Sequence, residues 1–316
     1  MDFSGKTILI IGGTGFIGKS ILDYLQGLIF ESAPTIILVS RNTGTFHTSK
    51  WSNLRFHHIR KDVTELMISD LSHSIDYVIH SATSTSTEGE DVPYLARTLI
   101  CGTTNFCMLM SKVRPKGVLY LSSGAVYGLK RKSNVLISES TSSEIDLSSA
   151  NEAYGIFKMA SEKIFTRFYS ETNIPVTIAR CFTFSGPNLN RDHFAINSFI
   201  KQALGSGTIQ VNSDGKSVRS YMDEEDLSSW LLTILQLNTG LDILNIGSEN
   251  KISINELAHV IMNLSGAKTV EILKNNTDYN FYVPSTEYAR NKYGLSSQVS
   301  LERSIGKMLS ARKLSL

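Results

Sequence analysis

The stretch Ile8-Leu9-Ile10-Ile11-Gly12-Gly13-Thr14-Gly15-Phe16-Ile17-Gly18 opens with four apolar residues and continues with glycine at every third position from Gly12. The apolar run predicts a buried strand, and the segment that begins at Phe16 has helical periodicity. In such a strand-to-helix turn Gly12 permits the tight bend, Gly15 lets the backbone approach a pyrophosphate at the helix N-terminus, and Gly18 allows close packing. The stretch therefore predicts a dinucleotide-binding loop, against the alternative of a turn that merely needs flexibility.

Short apolar runs recur through the first half of the chain and alternate with helix-compatible segments. Continuously apolar runs indicate strands that are buried on both faces, and the alternating order indicates a doubly wound parallel sheet of the α/β class. The predicted strands are 8–11, 36–39, 77–80, 118–121 and 176–179, and the predicted helices include 16–28, 92–112 and 152–171. After Arg180, turn signals such as Gly186-Pro187 become frequent, so we expect a smaller, substrate-side region there.

Composition and charge argue against several classes of protein. With 31 Lys and Arg against 29 Asp and Glu, nothing favours binding to nucleic acid or to an anionic membrane. No apolar run approaches the ~20 residues of a transmembrane helix, and the N-terminus does not resemble a signal peptide. Cys101, Cys107 and Cys181 have no metal-binding spacing, and neither do the histidines. These features predict a soluble, cytoplasmic protein without a membrane partner, a nucleic-acid partner or a metal.

The tip of the second predicted strand should lie beside the adenosine ribose of a dinucleotide. It reads Ser40-Arg41-Asn42. An acidic residue here would bind the 2′-hydroxyl of NAD, whereas Arg41 can hold a 2′-phosphate through charge-assisted hydrogen bonds. NADP is therefore the predicted cofactor, with NAD possible and with a solvated Arg41 as the alternative. Asp62-Val63 is a candidate to bracket the adenine.

Tyr154 and Lys158 are four residues apart in a helix-compatible segment, so both side chains project from one face. A phenol has a pKa of about 10 and is a poor base at neutral pH, but a neighbouring ammonium favours its ionised form. Lys158 can supply that charge and also hydrogen-bond the cofactor ribose. Ser123, at the end of a predicted strand, can steady a substrate oxygen. A tyrosine and a lysine at this spacing also arise by chance on solvated helices, but their position after the glycine loop favours catalysis.

Five motifs together resemble the extended short-chain dehydrogenase/reductase family, the NAD-dependent epimerase/dehydratase group that acts on nucleotide sugars. They are the glycine loop, His80-Ser81-Ala82, Leu121-Ser122-Ser123-Gly124-Ala125-Val126-Tyr127-Gly128, Tyr154-Gly155-Ile156-Phe157-Lys158, and Arg219-Ser220-Tyr221 followed by Asp226. The resemblance covers nearly the whole chain and implies a Rossmann-type fold with Ser123, Tyr154 and Lys158 as the catalytic triad. The cofactor-binding residues that we predict are Gly12, Thr14, Gly15, Phe16, Ile17, Gly18, Ser40, Arg41, Asn42, Asp62, Val63, Ser81, Ala82, Thr83, Ser122, Tyr154 and Lys158.

The resemblance also implies a set of substrate-binding residues. In this family the position of Arg219 holds the diphosphate of the nucleotide sugar. His193, Phe194 and Asn197 fall where relatives contact the nucleotide, although a polar surface helix is an equally good interpretation of that segment. The predicted substrate-binding residues are Ser123, Gly124, Ala125, Thr183, Phe194, Asn197 and Arg219.

The chain departs from the family pattern at three places. Family dehydratases carry an Asp-Glu pair after the triad serine or threonine, and the sugar-acid decarboxylases resemble them in the glutamate. Here the pair is Gly124-Ala125, which cannot transfer a proton, so elimination and decarboxylation of that type are disfavoured. Leu99 replaces a family asparagine and puts a water-mediated link to Lys158 in doubt. Thr183 replaces another and puts one substrate contact in doubt.

The sequence thus predicts an α/β protein in two parts. Residues 1–181, with about 220–250 returning, would form the Rossmann-type dinucleotide-binding domain, and 182–219 with 251–316 the smaller C-terminal substrate-binding region. The leading hypothesis is reduction by NADPH of the 4-keto group of a nucleotide-linked 6-deoxyhexose, with Tyr154 as proton donor. The alternatives are a nucleotide-sugar 4-epimerase with tightly bound NAD and a non-enzymatic dinucleotide-binding regulator. Family members commonly dimerise through the helices predicted at 92–112 and 152–171, so a homodimer is expected.

Overall fold

The computed structural model describes residues 2–41, 46–71, 73–82, 92–128, 133–274 and 279–314. The strands are β1 (Thr7–Ile11), β2 (Thr35–Val39), β3 (Arg55–Ile59), β4 (Tyr77–His80), β5 (Gly117–Ser123), β6 (Val176–Cys181), β7 (Phe184–Ser185), β8 (Thr208–Val211), β9 (Val218–Ser220), β10 (Met222–Asp223), β11 (Leu241–Ile246), β12 (Lys251–Ser253), β13 (Thr269–Ile272) and β14 (Phe281–Tyr282). The helices are α1 (Phe16–Gln26), α2 (Val92–Ala96), α3 (Gly102–Val113), α4 (Ala153–Thr172), α5 (Ala195–Gly205), α6 (Glu224–Leu237), α7 (Ile254–Ser265), α8 (Glu287–Tyr293) and α9 (Leu301–Lys313).

The main sheet has seven strands in the order β11-β6-β5-β4-β1-β2-β3. The neighbouring pairs from β6 to β3 are all parallel, and β1 lies between β2 and β4 with Ile11 opposite Val39 and His80. The chain order reverses between β1 and β4, which is the switch point where ligands of doubly wound sheets bind. The predicted Rossmann-type doubly wound parallel sheet is confirmed.

The five predicted strands are present, and two further strands lie at the edges of the sheet. The central strands were predictable because both of their faces are buried, as in β4, where every residue is buried. β3 was missed because its residues Arg55, His57 and His58 are exposed, which gives no continuous apolar run. β11 was missed because its apolar residues alternate with Asp242 and Asn245. The predicted helix 92–112 is interrupted by a π-helical turn over Arg97–Cys101.

The chain divides into two compact units. The first comprises Met1–Val126, Ile145–Cys181 and Ser228–Leu244, and the second comprises Tyr127–Glu144, Phe182–Leu227 and Asn245–Leu316. The core of the first unit packs between strands and helices around Phe106, Tyr120 and Phe165. The second unit contains the small sheets β12-β9-β14 and β13-β8. That the second unit binds the substrate stays a prediction.

Within the described ranges, no helix combines the length and the hydropathy that crossing a membrane requires. Over the same residues, no group of three or more His, Cys, Asp or Glu side chains is placed to hold a metal ion. Cys101, Cys107 and Cys181 are all free thiols.

Candidate active site

The glycine loop joins β1 to α1 at the switch point of the sheet. Gly12 has a φ of +78°, which L side chains rarely adopt, and a Cβ on Gly18 would lie 2.2 Å from the Gly13 carbonyl oxygen. Gly15 is the N-cap of α1, where no side chain caps the helix and no acidic residue lies in the first turn. This uncapped helix start suits an anion, because its N–H groups and the helix dipole favour negative charge. The loop fits the pyrophosphate of a dinucleotide.

The tip of β2 carries Ser40 and Arg41 beside this loop. Ser40 Oγ lies 2.9 Å from Thr14 Oγ1, so one hydroxyl donates to the other. The exposed Arg41 donates to the Tyr94 hydroxyl, and its guanidinium lies 5.4 Å from the centroid of that ring. Arg41 Nε is also 4.0 Å from the Asp62 carboxylate. Arg41 therefore has two side-chain partners, although its side chain is 59% exposed.

Arg41 lines a surface pocket in which basic residues predominate. Lys61 is paired with Asp70 at 2.8 Å, and Arg97 with Glu65 at 3.4 Å. The lining residues are Arg41, Arg60, Lys61, Asp62, Glu65, Tyr94, Arg97 and Thr98. The sequence did not single out Tyr94, Arg60 or Arg97 for this position, because they come from other segments of the chain.

The remaining predicted cofactor residues have varied positions. Ser81 donates to the Ile11 carbonyl oxygen through both its hydroxyl, at 2.7 Å, and its backbone N–H, at 2.9 Å, which ties the end of β4 to β1. The Asp62 carboxylate accepts from the N–H and hydroxyl of Thr64 and so caps a 3₁₀ turn. The Val63 side chain is buried in the core. Asn42 and Thr83 lie outside the described residues.

Ser123, Tyr154 and Lys158 all lie in the first unit, at the end of β5 and on α4. Lys158 is 1% exposed, and its Nζ donates to the Leu121 carbonyl oxygen at 2.6 Å. The same Nζ lies 5.8 Å from the centroid of the Tyr154 ring. Ser123 Oγ accepts the Ala125 N–H at 3.1 Å, which leaves its hydroxyl hydrogen available to donate to another oxygen. The structure thus brings the ammonium and the phenol of the predicted triad together.

Close backbone contact positions the start of α4. An ideal Cβ on Gly155 would lie 2.5 Å from the Ala125 carbonyl oxygen, so only glycine fits between this helix and the turn that follows Ser123. That turn is the 3₁₀ segment Gly124–Tyr127. Gly155 therefore allows Tyr154 to approach the end of β5.

Burial sets the electrostatics around Lys158. Loss of solvent lowers the pKa of Lys158 to about 8, while the neighbouring Cys181 and, to a smaller extent, Glu162 oppose the shift. Burial also lowers the pKa of His80 to about 3, with a smaller contribution from Lys158. It raises the pKa of the Cys181 thiol to about 12. His80 and Cys181 are therefore neutral at pH 7, and Lys158 is mostly an ammonium.

A buried ion pair next to the triad was not predicted from the sequence. Glu162 and Arg180 form two hydrogen bonds, from Nε to Oε1 at 3.0 Å and from Nη2 to Oε2 at 2.7 Å. The Ser122 hydroxyl donates to Glu162 Oε1 at 2.6 Å. The two charged side chains are only 4% and 15% exposed. The signal that could have found them is the helical spacing of Glu162 from Lys158, which places both on one face of α4.

The predicted substrate residues other than Ser123, Gly124 and Ala125 lie in the second unit. Thr183 donates to the Ser220 carbonyl oxygen. Phe194 is the N-cap of α5, and its ring lies 4.3 Å from that of His193. Asn197 is 1% exposed, so it does not lie on a polar surface face, and its amide nitrogen donates to the Leu189 carbonyl oxygen at 2.7 Å.

Arg219 is held by the second unit's own backbone. Its Nη1 donates to the Val218 and Asn280 carbonyl oxygens at 2.9 and 3.1 Å. Its guanidinium carbon lies 5.7 Å from the centroid of the Tyr282 ring. Burial lowers the pKa of Arg219. A half-buried cation in fixed geometry is suited to an anionic group.

Leu99, which replaces a family asparagine, lies within the π-helical turn and is fully buried. Its carbonyl oxygen accepts from the Ser161 hydroxyl at 2.7 Å. The position therefore offers an apolar side chain and not the amide that the family resemblance implies.

The chain matches a family model and curated relatives. The model of the NAD dependent epimerase/dehydratase family matches residues 8–247. UDP-glucuronic acid decarboxylase 5 of Arabidopsis thaliana is 28% identical over 287 residues, 87% of this chain and 80% of the relative. A Bacillus subtilis protein described as an uncharacterized UDP-glucose epimerase, YtcB, is 25% identical over 277 residues, 83% of each chain.

The fold also matches solved structures. UDP-glucuronic acid 4-epimerase from Bacillus cereus, in complex with UDP-glucuronic acid and NAD, superposes with a TM-score of 0.84 at 24% identity, over 98% of this chain and 100% of the other. At this identity the likeness shows the fold. The match of the family model over most of the chain shows that the protein is an enzyme of the NAD dependent epimerase/dehydratase family.

Proposed function

We propose that this enzyme reduces the 4-keto group of a nucleotide-linked 6-deoxyhexose. The observation that carries the proposal is the buried Lys158 ammonium, 5.8 Å from the centroid of the Tyr154 ring at the end of β5. This arrangement suits proton transfer to a carbonyl oxygen that becomes an alcohol. The relatives act on nucleotide sugars by their names, which supports that substrate class.

Bound NADPH would supply the hydride, and the residues of the triad would do the rest. The Tyr154 hydroxyl would donate its proton to the substrate oxygen. The Lys158 ammonium would stabilise the phenolate that remains and hold the cofactor ribose. The Ser123 hydroxyl, whose oxygen already accepts the Ala125 N–H, would donate to the same substrate oxygen and orient the keto group. Arg219 would bind the diphosphate.

The turn after Ser123 favours simple reduction over the reactions named for several relatives. Gly124 and Ala125 occupy positions at which dehydratases of the family carry an acid and a base. Neither residue can transfer a proton. Decarboxylation or water elimination by that route is therefore disfavoured, even though decarboxylases are among the relatives.

We propose NADP as the cofactor because of Arg41. Its guanidinium lies in a pocket lined by Arg60 and Arg97 as well, which would favour a 2′-phosphate over a 2′-hydroxyl. Asp62, 4.0 Å from Arg41, partly offsets that charge.

The second candidate is a nucleotide-sugar 4-epimerase that oxidises and re-reduces the same carbon with tightly held NAD. The curated relative described as a UDP-glucose epimerase favours it. Both reactions use the same triad, so they differ in whether reduced cofactor is consumed.

A homodimer and a cytoplasmic location also remain proposals. Val92 and Met108, on α2 and α3, are 43% and 62% exposed, and a second copy could cover these apolar side chains. Light scattering on the purified protein would give the mass that decides the first proposal.

The test of the proposed function is the Tyr154→Phe variant, assayed by NADPH oxidation with a nucleotide-linked 4-keto-6-deoxyhexose. Loss of the ionisable oxygen should lower kcat by roughly 10²–10⁴-fold while cofactor affinity stays unchanged. Tyr169→Phe, on the same helix but two turns after Glu162, is the matched control and should retain turnover. Turnover of Tyr154→Phe within a few-fold of the wild type would remove Tyr154 from the mechanism.

A further inference from the structure

One feature of the first unit is unexplained by packing alone: a carboxylate and a guanidinium buried beside the proposed triad. Glu162 accepts three hydrogen bonds, two from Arg180 and one from Ser122. Burying an ion pair is weak evidence for stability, since apolar residues of similar volume often do as well or better. The position of the pair, one turn of α4 after Lys158, therefore calls for another explanation.

We propose that Glu162 is a positioning residue for Lys158: its buried carboxylate holds the Lys158 side chain in the ammonium form and fixes the end of β5 through Ser122. This role presupposes the role proposed above for Lys158. In this proposal the Arg180 guanidinium is the counter-charge of Glu162 and determines how strongly the carboxylate stabilises the Lys158 ammonium.

The geometry supports both halves of this role. Lys158 and Glu162 are four residues apart on α4 and both face the sheet, with 1% and 3% exposure. Lys158 donates to the Leu121 carbonyl oxygen, and Glu162 accepts from the next residue, Ser122. Two successive residues of β5 are thus fixed by two successive turns of one helix, immediately before Ser123.

Charge supports it as well. The ammonium lies 4.8 Å from the centroid of the Tyr120 ring, which is buried and neutral because burial raises the pKa of Tyr120. The groups that act on Lys158 from α4, β4, β5 and β6 are Tyr154, Glu162, His80, Tyr120 and Cys181, and Arg180 is paired with Glu162. Cys181 and Glu162 both act to raise the pKa of Lys158, but burial raises the pKa of the Cys181 thiol to about 12, so it carries no charge at pH 7. His80 and Tyr120 are also uncharged at pH 7, so the negative charge that opposes loss of the Lys158 proton is that of Glu162.

The test is the titration of Lys158 in Glu162→Gln and Arg180→Gln. The unfolding free energy of the cofactor-free protein is measured from pH 6 to 10 for the wild type and for each variant. Each of these proteins is paired with a second protein that differs from it only by Lys158→Met. The difference within each pair reports the protonation of Lys158. Removing the carboxylate charge should move the midpoint down by about 1 pH unit. Removing the guanidinium should move it up.

Shifts of the Lys158 midpoint in opposite directions distinguish a charge effect from a loss of structure. A loss of structure would shift the midpoint in the same direction in both variants or leave it unchanged. Glu171→Gln, on the same helix in an exposed pair with Arg167, is the matched control and should leave the midpoint unchanged. If Glu162→Gln does not fold, the upward shift in Arg180→Gln decides. An unchanged midpoint, or shifts of the same sign, would overturn the role of Glu162.

The titration needs no substrate, so it is independent of the proposed reaction. A shifted midpoint in a protein that never oxidises NADPH would leave Glu162 in its role and refute the proposed function. An unshifted midpoint in an active reductase would refute the role of Glu162 and leave the proposed function standing.

Discussion

Replacing Lys158 with methionine is expected to abolish turnover. Compared with the wild type at the same pH, the folded variant should be more favoured at neutral pH than at pH 10. Lys158 is 1% exposed, and burial lowers its pKa from 10.5 to about 8. Each pH unit between the folded and the unfolded pKa corresponds to about 1.4 kcal/mol. The buried ammonium therefore costs roughly 3 kcal/mol of folding free energy below pH 8.

The sign follows from the proton counts. Between pH 8 and pH 10.5 the unfolded chain binds more protons at Lys158 than the folded chain does, so the unfolding free energy of the wild type rises with pH in that window. The methionine variant lacks this term. It also loses the hydrogen bond to the Leu121 carbonyl oxygen, about 1–3 kcal/mol if that oxygen stays unsatisfied. That loss is independent of pH, so the change with pH is the cleaner quantity.

The assay is urea unfolding of the cofactor-free protein between pH 7 and 10, followed by the fluorescence of the buried Trp51 and Trp230. Lys163→Met, on the exposed side of α4, is the matched control and should keep the wild-type profile. Between pH 8 and pH 10 the unfolding free energy of the wild type should rise by roughly 2 kcal/mol relative to that of Lys158→Met. Parallel profiles for the two proteins would refute the buried, titrating ammonium.

Two further predictions concern the cofactor and the backbone of the site. Arg41→Ala should weaken NADPH binding by about 1–3 kcal/mol and NADH binding much less, because a charged hydrogen bond to the 2′-phosphate is lost. Fluorescence titration with both cofactors measures the two affinities, and Arg55→Ala at the far end of β3 is the control. Equal losses of affinity for NADPH and NADH would argue for the epimerase. Gly155→Ala should destabilise the fold by roughly 1–3 kcal/mol and lower kcat, because its Cβ would lie 2.5 Å from the Ala125 carbonyl oxygen; an active variant of wild-type stability would show that this close approach is dispensable.

The central strands and the glycine loop could be predicted because they depend on local patterns. Ile8 to Ile11 form a continuous apolar run because both faces of β1 are covered, and the loop needs glycine at Gly12 for its positive φ. β3 was not predicted because it is an edge strand, in which Arg55 and both histidines are exposed.

Side-chain partners from distant segments could not be predicted. A glutamate within a helix ordinarily indicates a solvated face, and only the adjacency of β5 and β6 to α4 places Ser122 and Arg180 on Glu162. In the same way, Arg41 reaches Tyr94 across 53 residues of sequence. Such contacts depend on the strand order of the sheet, which a pattern of apolar residues indicates only in outline.

Simultaneous measurement of cofactor consumption and product tests the proposed reaction most directly. The purified enzyme is given NADPH and a nucleotide-linked 4-keto-6-deoxyhexose in one assay, and a saturated nucleotide-hexose without added reductant in another, with Tyr154→Phe as the blank. A reductase should oxidise one equivalent of NADPH per sugar reduced and should not interconvert sugars that differ at position 4. Interconversion without added reductant, far faster than in the Tyr154→Phe blank, would contradict the reductase and establish the epimerase.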